Sequence, residues 1–133
     1  EGRDFKYGRD VWKPLFDKYN VDLVLNGHDH TYARGHIPQT KETKKDSDGL
    51  KTVYVTSVSG PKQYRQDRSS LTRYLLENGY ELDKAAQFMQ FFQVITIDDD
   101  KLTYVAFTAT GKEYDRMVIS KDPVTGKKRF LSE

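Results

Sequence analysis

Apolar residues recur at helical spacing near the start of the chain. Val11, Trp12, Leu15, Phe16 and Tyr19 line one face, which predicts an amphipathic helix over Arg9 to Tyr19. Asp10 is the expected N-cap, Pro14 falls within the first turn or so, and Asn20 closes the helix. Val21 to Leu25 then runs nearly unbroken in aliphatic and β-branched residues and predicts a short buried strand that ends in the loop Gly27-His28-Asp29-His30. Residues 35 to 51, with Gly35, Pro38 and the polar run Lys41 to Gly49, have turn chemistry and no period, so an exposed loop or hairpin is expected. Thr52 to Val58 predicts a second buried strand, stopped by Ser59-Gly60-Pro61. A short helix is expected around Leu71 to Glu77, with a break at Asn78-Gly79 and another helical turn near Leu82 to Ala86. Phe88 to Ile97 and Leu102 to Ala109 predict a hairpin across the charged turn Asp98-Asp99-Asp100-Lys101. Glu113 to Ser120 adds a third run, and Asp122-Pro123-Val124-Thr125-Gly126 closes the ordered part before a basic tail.

With 133 residues and no internal repeat or linker, residues 1–133 read as a single domain or part of one, of mixed α/β class. The absence of cysteine excludes a disulfide framework and thiolate metal sites, and leaves periplasmic, secreted and cytoplasmic locations all open. Twenty-two basic and twenty acidic residues are interspersed to a net charge of +2, which argues against a nucleic-acid footprint or a polybasic membrane patch. No apolar stretch approaches the roughly 18 to 20 residues of a membrane span. Glu1 opens the chain in what reads as a loop entered midway, so a piece of a longer protein is expected.

Two of the three histidines, His28 and His30, stand two residues apart at the end of the predicted strand. In an extended segment they would face the same way, about 6.5 to 7 Å apart at Cα, so that each imidazole could serve one of two metal ions. Gly27 would let the backbone turn sharply beside them. A short His-x-His motif taken alone fits polar loop residues at least as well. Asp29 would point away from the pair, and His36 is expected to be solvated. The run Asp98 to Asp100 is explained by a hairpin turn, since the spaced ligands of a calcium loop are missing.

The run from Trp12-Lys13-Pro14-Leu15-Phe16 through Tyr19-Asn20-Val21-Asp22-Leu23-Val24-Leu25-Asn26-Gly27-His28-Asp29-His30-Thr31-Tyr32-Ala33-Arg34 resembles the last block of the calcineurin-like metallophosphoesterases. It is most like the purple acid phosphatase type, whose Gly-His-x-His is followed by x-Tyr-x-Arg. Val53 to Lys62 and Thr110 to Asp115 also resemble bacterial members. The resemblance implies the C-terminal part of a four-layer αββα sandwich, with a mixed sheet and a flanking helix. It implies a hydrolase of phosphate esters with a dinuclear centre of iron, zinc or manganese, in which His28 binds one ion and His30 the other. Tyr32 and Arg34 match the aromatic and basic positions, where they would line the substrate pocket or brace the loop; an aromatic packing residue and a surface cation is the alternative. Tyr64, Tyr74 and Tyr80 beside Arg65, Arg68 and Arg73 would form a cover near the site.

The family's upstream ligand blocks, of the Asp-x-His, Gly-Asp-x-x-Asp or Tyr, and Gly-Asn-His-Glu or Asp kinds, do not occur in this chain. The expected partners are therefore a phosphate ester substrate and a missing N-terminal part of the same protein, with no nucleic acid and no membrane span. The chain alone is expected to hold metal weakly and to be inactive, with no catalytic residue of its own. An uncovered apolar face on the Val21 to Leu25 and Thr52 to Val58 strands would favour self-association. The competing expectation is a non-catalytic interaction or regulatory module that retains a histidine loop.

Overall fold

The computed structural model describes residues 8–37 and 50–131. They form a mixed α/β structure, mostly strands, with two four-stranded sheets and two short helices. The first helical segment opens with a π-helical turn, Gly8–Trp12, and continues as α1, Lys13–Lys18. Asp10 lies inside that turn and does not cap it. Pro14 has no N–H to return to the preceding turn, and the wide turn sits immediately before it. The second helix, α2 (Arg68–Glu77), starts earlier than the apolar pattern suggests. The Asp67 carboxylate accepts from the backbone N–H groups of Ser69 and Ser70 at 3.1 and 3.3 Å and fixes its first turn.

The first sheet contains β1 (Leu23–Asn26), β2 (Tyr32–His36), β3 (Val53–Thr56) and β4 (Glu81–Ala86) in the order β1-β3-β2-β4. β1 and β3 are parallel, and β2 runs antiparallel to both β3 and β4. Two elements differ from the sequence expectation. Leu82 to Ala86, read as a helical turn, is strand: Glu, Leu, Lys and Ala favour helix locally, but pairing of Ala85 and Lys84 with Ala33 and Arg34 overrides that preference. The loop expected from residue 35 starts later, because Gly35 and His36 belong to β2. Pro38 and the run Lys41 to Gly49 lie outside the described residues.

Gly35 has a specific reason to be glycine. The register of β2 against β4 shifts between Arg34 and Gly35, and a Cβ on Gly35 would stand 2.6 Å from the carbonyl oxygen of Glu81.

The second sheet is an antiparallel meander of β5 (Phe91–Asp98), β6 (Lys101–Thr108), β7 (Glu113–Lys121) and β8 (Lys128–Phe130). The basic tail expected after Gly126 is therefore a strand at its start. Lys128 is buried there, and its ammonium donates to the Val21 carbonyl at 2.8 Å, tying β8 to the approach of β1. Thr52 donates its hydroxyl to the same carbonyl at 2.9 Å.

The sheets face each other across one core. Tyr32, Val53 and Val55 from the first pack with Phe91, Tyr104, Ala106, Met117 and Ile119 from the second, and Leu50 joins them. On the outer face of the first sheet, Trp12 stacks on Phe16 at 6.2 Å, and Phe16 meets Tyr54 at 6.3 Å. The order of layers is helix, sheet, sheet. β3 is consequently covered on both faces, so the open apolar surface expected on the two strands is confined to Leu25 of the edge strand β1; much of β5 is exposed as well. Among the described residues no helix is long and apolar enough to cross a membrane.

The Gly35 contact is with backbone and cannot be relieved by a rotamer change. Gly35→Ala is expected to lower unfolding free energy by about 1–3 kcal/mol in urea titrations. An unchanged midpoint would show that β2 and β4 do not approach so closely.

Candidate functional site

The histidine segment links β1 to β2. It is a bend and not an extended run, so strand alternation does not orient its side chains. The sharp turn falls on His28, with φ of 77°, and not on Gly27, where an added Cβ would meet nothing within 4 Å. Histidine tolerates the left-handed region better than most residues with a side chain. His28 and Asp29 are exposed, and neither makes a hydrogen bond among the described residues.

His30 is held firmly. Its Nδ1 lies 2.8 Å from the Lys62 carbonyl oxygen, its own carbonyl accepts from the Tyr64 N–H at 3.1 Å, and the Tyr64 ring tilts against the imidazole at 4.8 Å. A carbonyl can only accept, so Nδ1 carries the proton, and in the neutral ring Nε2 is then the nitrogen with the lone pair. The Lys62 ammonium sits over the Tyr64 ring, 5.2 Å from its centre. The Gln66 side chain reaches Thr31, and the Gln66 backbone N–H donates to Gln87 Oε1 at 2.7 Å. Of the aromatics expected to cover the site, Tyr64 is brought to this loop. Tyr80 packs on Tyr54, and Tyr74, Arg68 and Arg73 belong to α2.

Tyr32, Arg34 and His36 alternate along β2, and a buried polar network joins them. The Tyr32 hydroxyl donates to Asp115 Oδ2 at 2.7 Å and accepts from Tyr104 at 3.1 Å. Arg34 grips Asp115 with two parallel bonds, Nε to Oδ2 at 2.7 Å and Nη2 to Oδ1 at 3.0 Å. Its remaining nitrogen, Nη1, reaches Asp83 Oδ2 at 3.1 Å. His36, expected in solvent, is half-buried; its Nδ1 lies 2.9 Å from Asp83, and its ring meets Phe130 edge-on at 5.2 Å. Tyr32 and Arg34 thus direct their side chains between the sheets.

Electrostatics follow from this burial. Burial first, then the bonds to Tyr104 and Asp115, drive the Tyr32 hydroxyl far above the ordinary tyrosine range. Burial with the nearby Asp115 charge pushes Tyr104 up to about 12. Burial opposes the charge on Arg34, but hydrogen bonding to Asp115 and the charges of Asp115 and Asp83 outweigh it, so its pKa lies above the usual value. Sequence reading missed Asp115 and Asp83. The signal for Asp115 was available, because it occupies the same inward alternation as the core residues Met117 and Ile119.

Among the described residues no three or more histidine, aspartate or glutamate side chains gather as a metal-binding group. No family model matches the chain, and no solved structure matches it at a significant level. Two uncharacterized proteins of Mycobacterium tuberculosis, from strains CDC 1551 / Oshkosh and ATCC 25618 / H37Rv, are each 61% identical to it over 28 residues. The match spans 21% of this chain and 5% of each of those proteins.

Removing one partner of a buried ion pair strands the other charge. Asp115→Ala is therefore expected to cost about 3–5 kcal/mol of stability, read by chemical denaturation. The tyrosines add a pH dependence. Both hold their protons more tightly folded than unfolded, so their contribution is complete below the ordinary value of 10.0 and falls as pH rises above it, until about 12 for Tyr104 and further still for Tyr32. The limiting slope is about 1.4 kcal/mol per pH unit for each tyrosine. Urea midpoints measured from neutral pH to pH 11 should fall at the alkaline end, and less steeply in Tyr32→Phe. Parallel curves would contradict the burial of that hydroxyl.

Proposed function

We propose that this chain is part of a metal-dependent phosphoesterase and contributes His28 and His30 to a dinuclear site that hydrolyses phosphate esters. The observation that carries the reading is the state of His30. Its Nδ1–H is fixed on the Lys62 carbonyl, which orients the ring and leaves Nε2 as donor, the arrangement that metal-ligating histidines adopt. His28 stands exposed on the adjoining turn, and the resemblance of the Trp12 to Arg34 run to calcineurin-like metallophosphoesterases assigns the two imidazoles to different ions. Such nitrogen donors suit iron, zinc or manganese.

Two ligands are fewer than the three or four a protein site normally uses, and in this reading the others belong to a preceding part of the same protein. The helix layer and the two sheets then form the C-terminal part of a four-layer αββα sandwich. When bound, the ions supply Lewis acidity toward the phosphoryl oxygens and a water made nucleophilic near neutral pH. The chain's own residues orient and brace. Lys62 and Tyr64 hold His30, the Lys62 ammonium places a cation at the rim of the loop where an anionic ester would approach, and Tyr32 with Arg34 anchors the strand that leaves it.

Calorimetric titration of the chain with zinc or manganese should show weak uptake that His28→Ala or His30→Ala removes. Uptake unchanged in both variants would defeat the reading and favour an interaction module. Without the remaining ligands, the chain should turn over p-nitrophenyl phosphate little above background with either metal. Turnover at the level of a complete phosphatase would show that two histidines suffice.

A further inference from the structure

Among the described residues each sheet ends in two edges with no further strand beside them, and three of the four carry features that discourage pairing with another chain. β1 is four residues long, β8 is three residues long and carries Lys128 and Arg129, and β4 includes Glu81, Asp83 and Lys84. β5 is different. It has eight residues, pairs with β6 without a register shift, and has no charge or proline before Asp98. Apolar side chains stand exposed on both of its faces, Phe92 and Val94 on one, Ile95 and Ile97 on the other, with Ile97 74% exposed.

The hydrogen-bond phase of this edge can be read directly. The Phe91 N–H donates to the Val58 carbonyl, away from β6, while the Gln90 carbonyl accepts from Ala109 on the β6 side. In an antiparallel strand both backbone groups of one residue point the same way, and successive residues alternate. Gln93, Ile95 and Ile97 therefore turn their N–H and C=O groups to the open edge, and the outward N–H of Phe91 is already taken.

From this we infer that β5 is a homodimerisation edge, whose occupant is the β5 strand of a second copy, antiparallel about a two-fold axis at Ile95. That axis sets Ile95 opposite Ile95 and Gln93 opposite Ile97, so every outward-facing residue with free backbone groups finds a partner. A two-fold axis through Val94 would instead set Ile97 against Phe91, whose N–H is engaged. Four isoleucines, two from each copy, come together on one face and cover the most exposed apolar side chain of the strand. Charge selects the same arrangement: antiparallel pairing carries the turns Asp98-Asp99-Asp100 to opposite ends, whereas parallel pairing would stack them on each other. The result is an eight-stranded sheet with an isologous interface.

The chain has no cysteine, so single-cysteine trapping is clean. Residues opposite each other in a hydrogen-bonded pair lie about 5.5 Å apart at Cα, within disulfide reach. Ile95→Cys should give a disulfide-linked dimer under mild oxidation, and Val124→Cys, on a distant exposed turn, should not. Sedimentation of the unmodified chain from about 1 to 500 µM should show a monomer–dimer equilibrium. Ile97→Lys, at a side chain already mostly in solvent, should weaken it tenfold or more while leaving the circular dichroism spectrum intact. A strict monomer over that range, open-ended aggregation, a dimer insensitive to Ile97→Lys, or equal trapping at residues 95 and 124 would each overturn the inference.

Discussion

The Asp115 carboxylate is the point on which the two sheets depend. It lies on β7, yet three of its hydrogen bonds come from β2 in the other sheet, one from Tyr32 and two from Arg34. A carboxylate at 6% exposure is tolerable only because those donors replace the water it has lost, and Arg34 is tolerable only because Asp115 and Asp83 answer its charge. Apolar packing would allow the sheets to slide, since it is not directional. A bidentate pair has one geometry, so it sets which residues of β2 face which residues of β7.

The same constraint reaches the histidine loop, because Tyr32 is the second residue after His30. The loop's exit is pinned by the network, and its entrance by Lys128 and Thr52, which both bind the Val21 carbonyl just ahead of β1. Its flank is held where Lys62 and Tyr64 bond His30. Between these anchors the left-handed turn at His28 is the one irregular step, and rigid surroundings are what allow such a conformation to persist. The segment that flanks the loop also runs to β5: the Val58 carbonyl takes the Phe91 N–H, and the Ser59 carbonyl takes the Gln90 side chain. The histidine loop and the unpaired edge are thus built on one continuous stretch of backbone.

Local pattern was enough to find the long strands β5, β6 and β7, whose β-branched and aromatic residues agree with their surroundings, and to locate the first helix. It failed where a partner distant in sequence decides. The end of β2, Gly35-His36, reads as loop, and Tyr32 to Arg34 show no apolar alternation; the strand's inward positions are polar groups satisfied by Asp115 and Asp83, more than 45 residues away in the chain. β4 reads as helix for the same reason, since its strand state exists only through pairing with β2. The histidine pair was legible as a motif. Its orientation was not, because that comes from a backbone carbonyl in another loop and from a turn that falls one residue later than glycine suggested.

Charge balance bears on how such a site would be completed. Two imidazoles are neutral donors, and a pair of ions of charge two or more needs anionic ligands beside them. The described carboxylates with identifiable partners are engaged in this chain's own fold. Asp22 answers Lys121 and Lys128, Asp83 and Asp115 hold Arg34, Asp67 caps α2, Asp122 closes the last turn, Glu113 pairs with Arg116, and Asp17 pairs with Lys13. Drawing any of the buried ones to a metal would break a bond on which the sheets rely. Within the histidine loop itself Asp29 is the one carboxylate, exposed between the two rings, and one carboxylate cannot neutralise two ions. Under the proposed two-metal reading, anionic ligands supplied from beyond these residues are the arrangement that leaves the fold intact, and the two-histidine loop would then be half of a site.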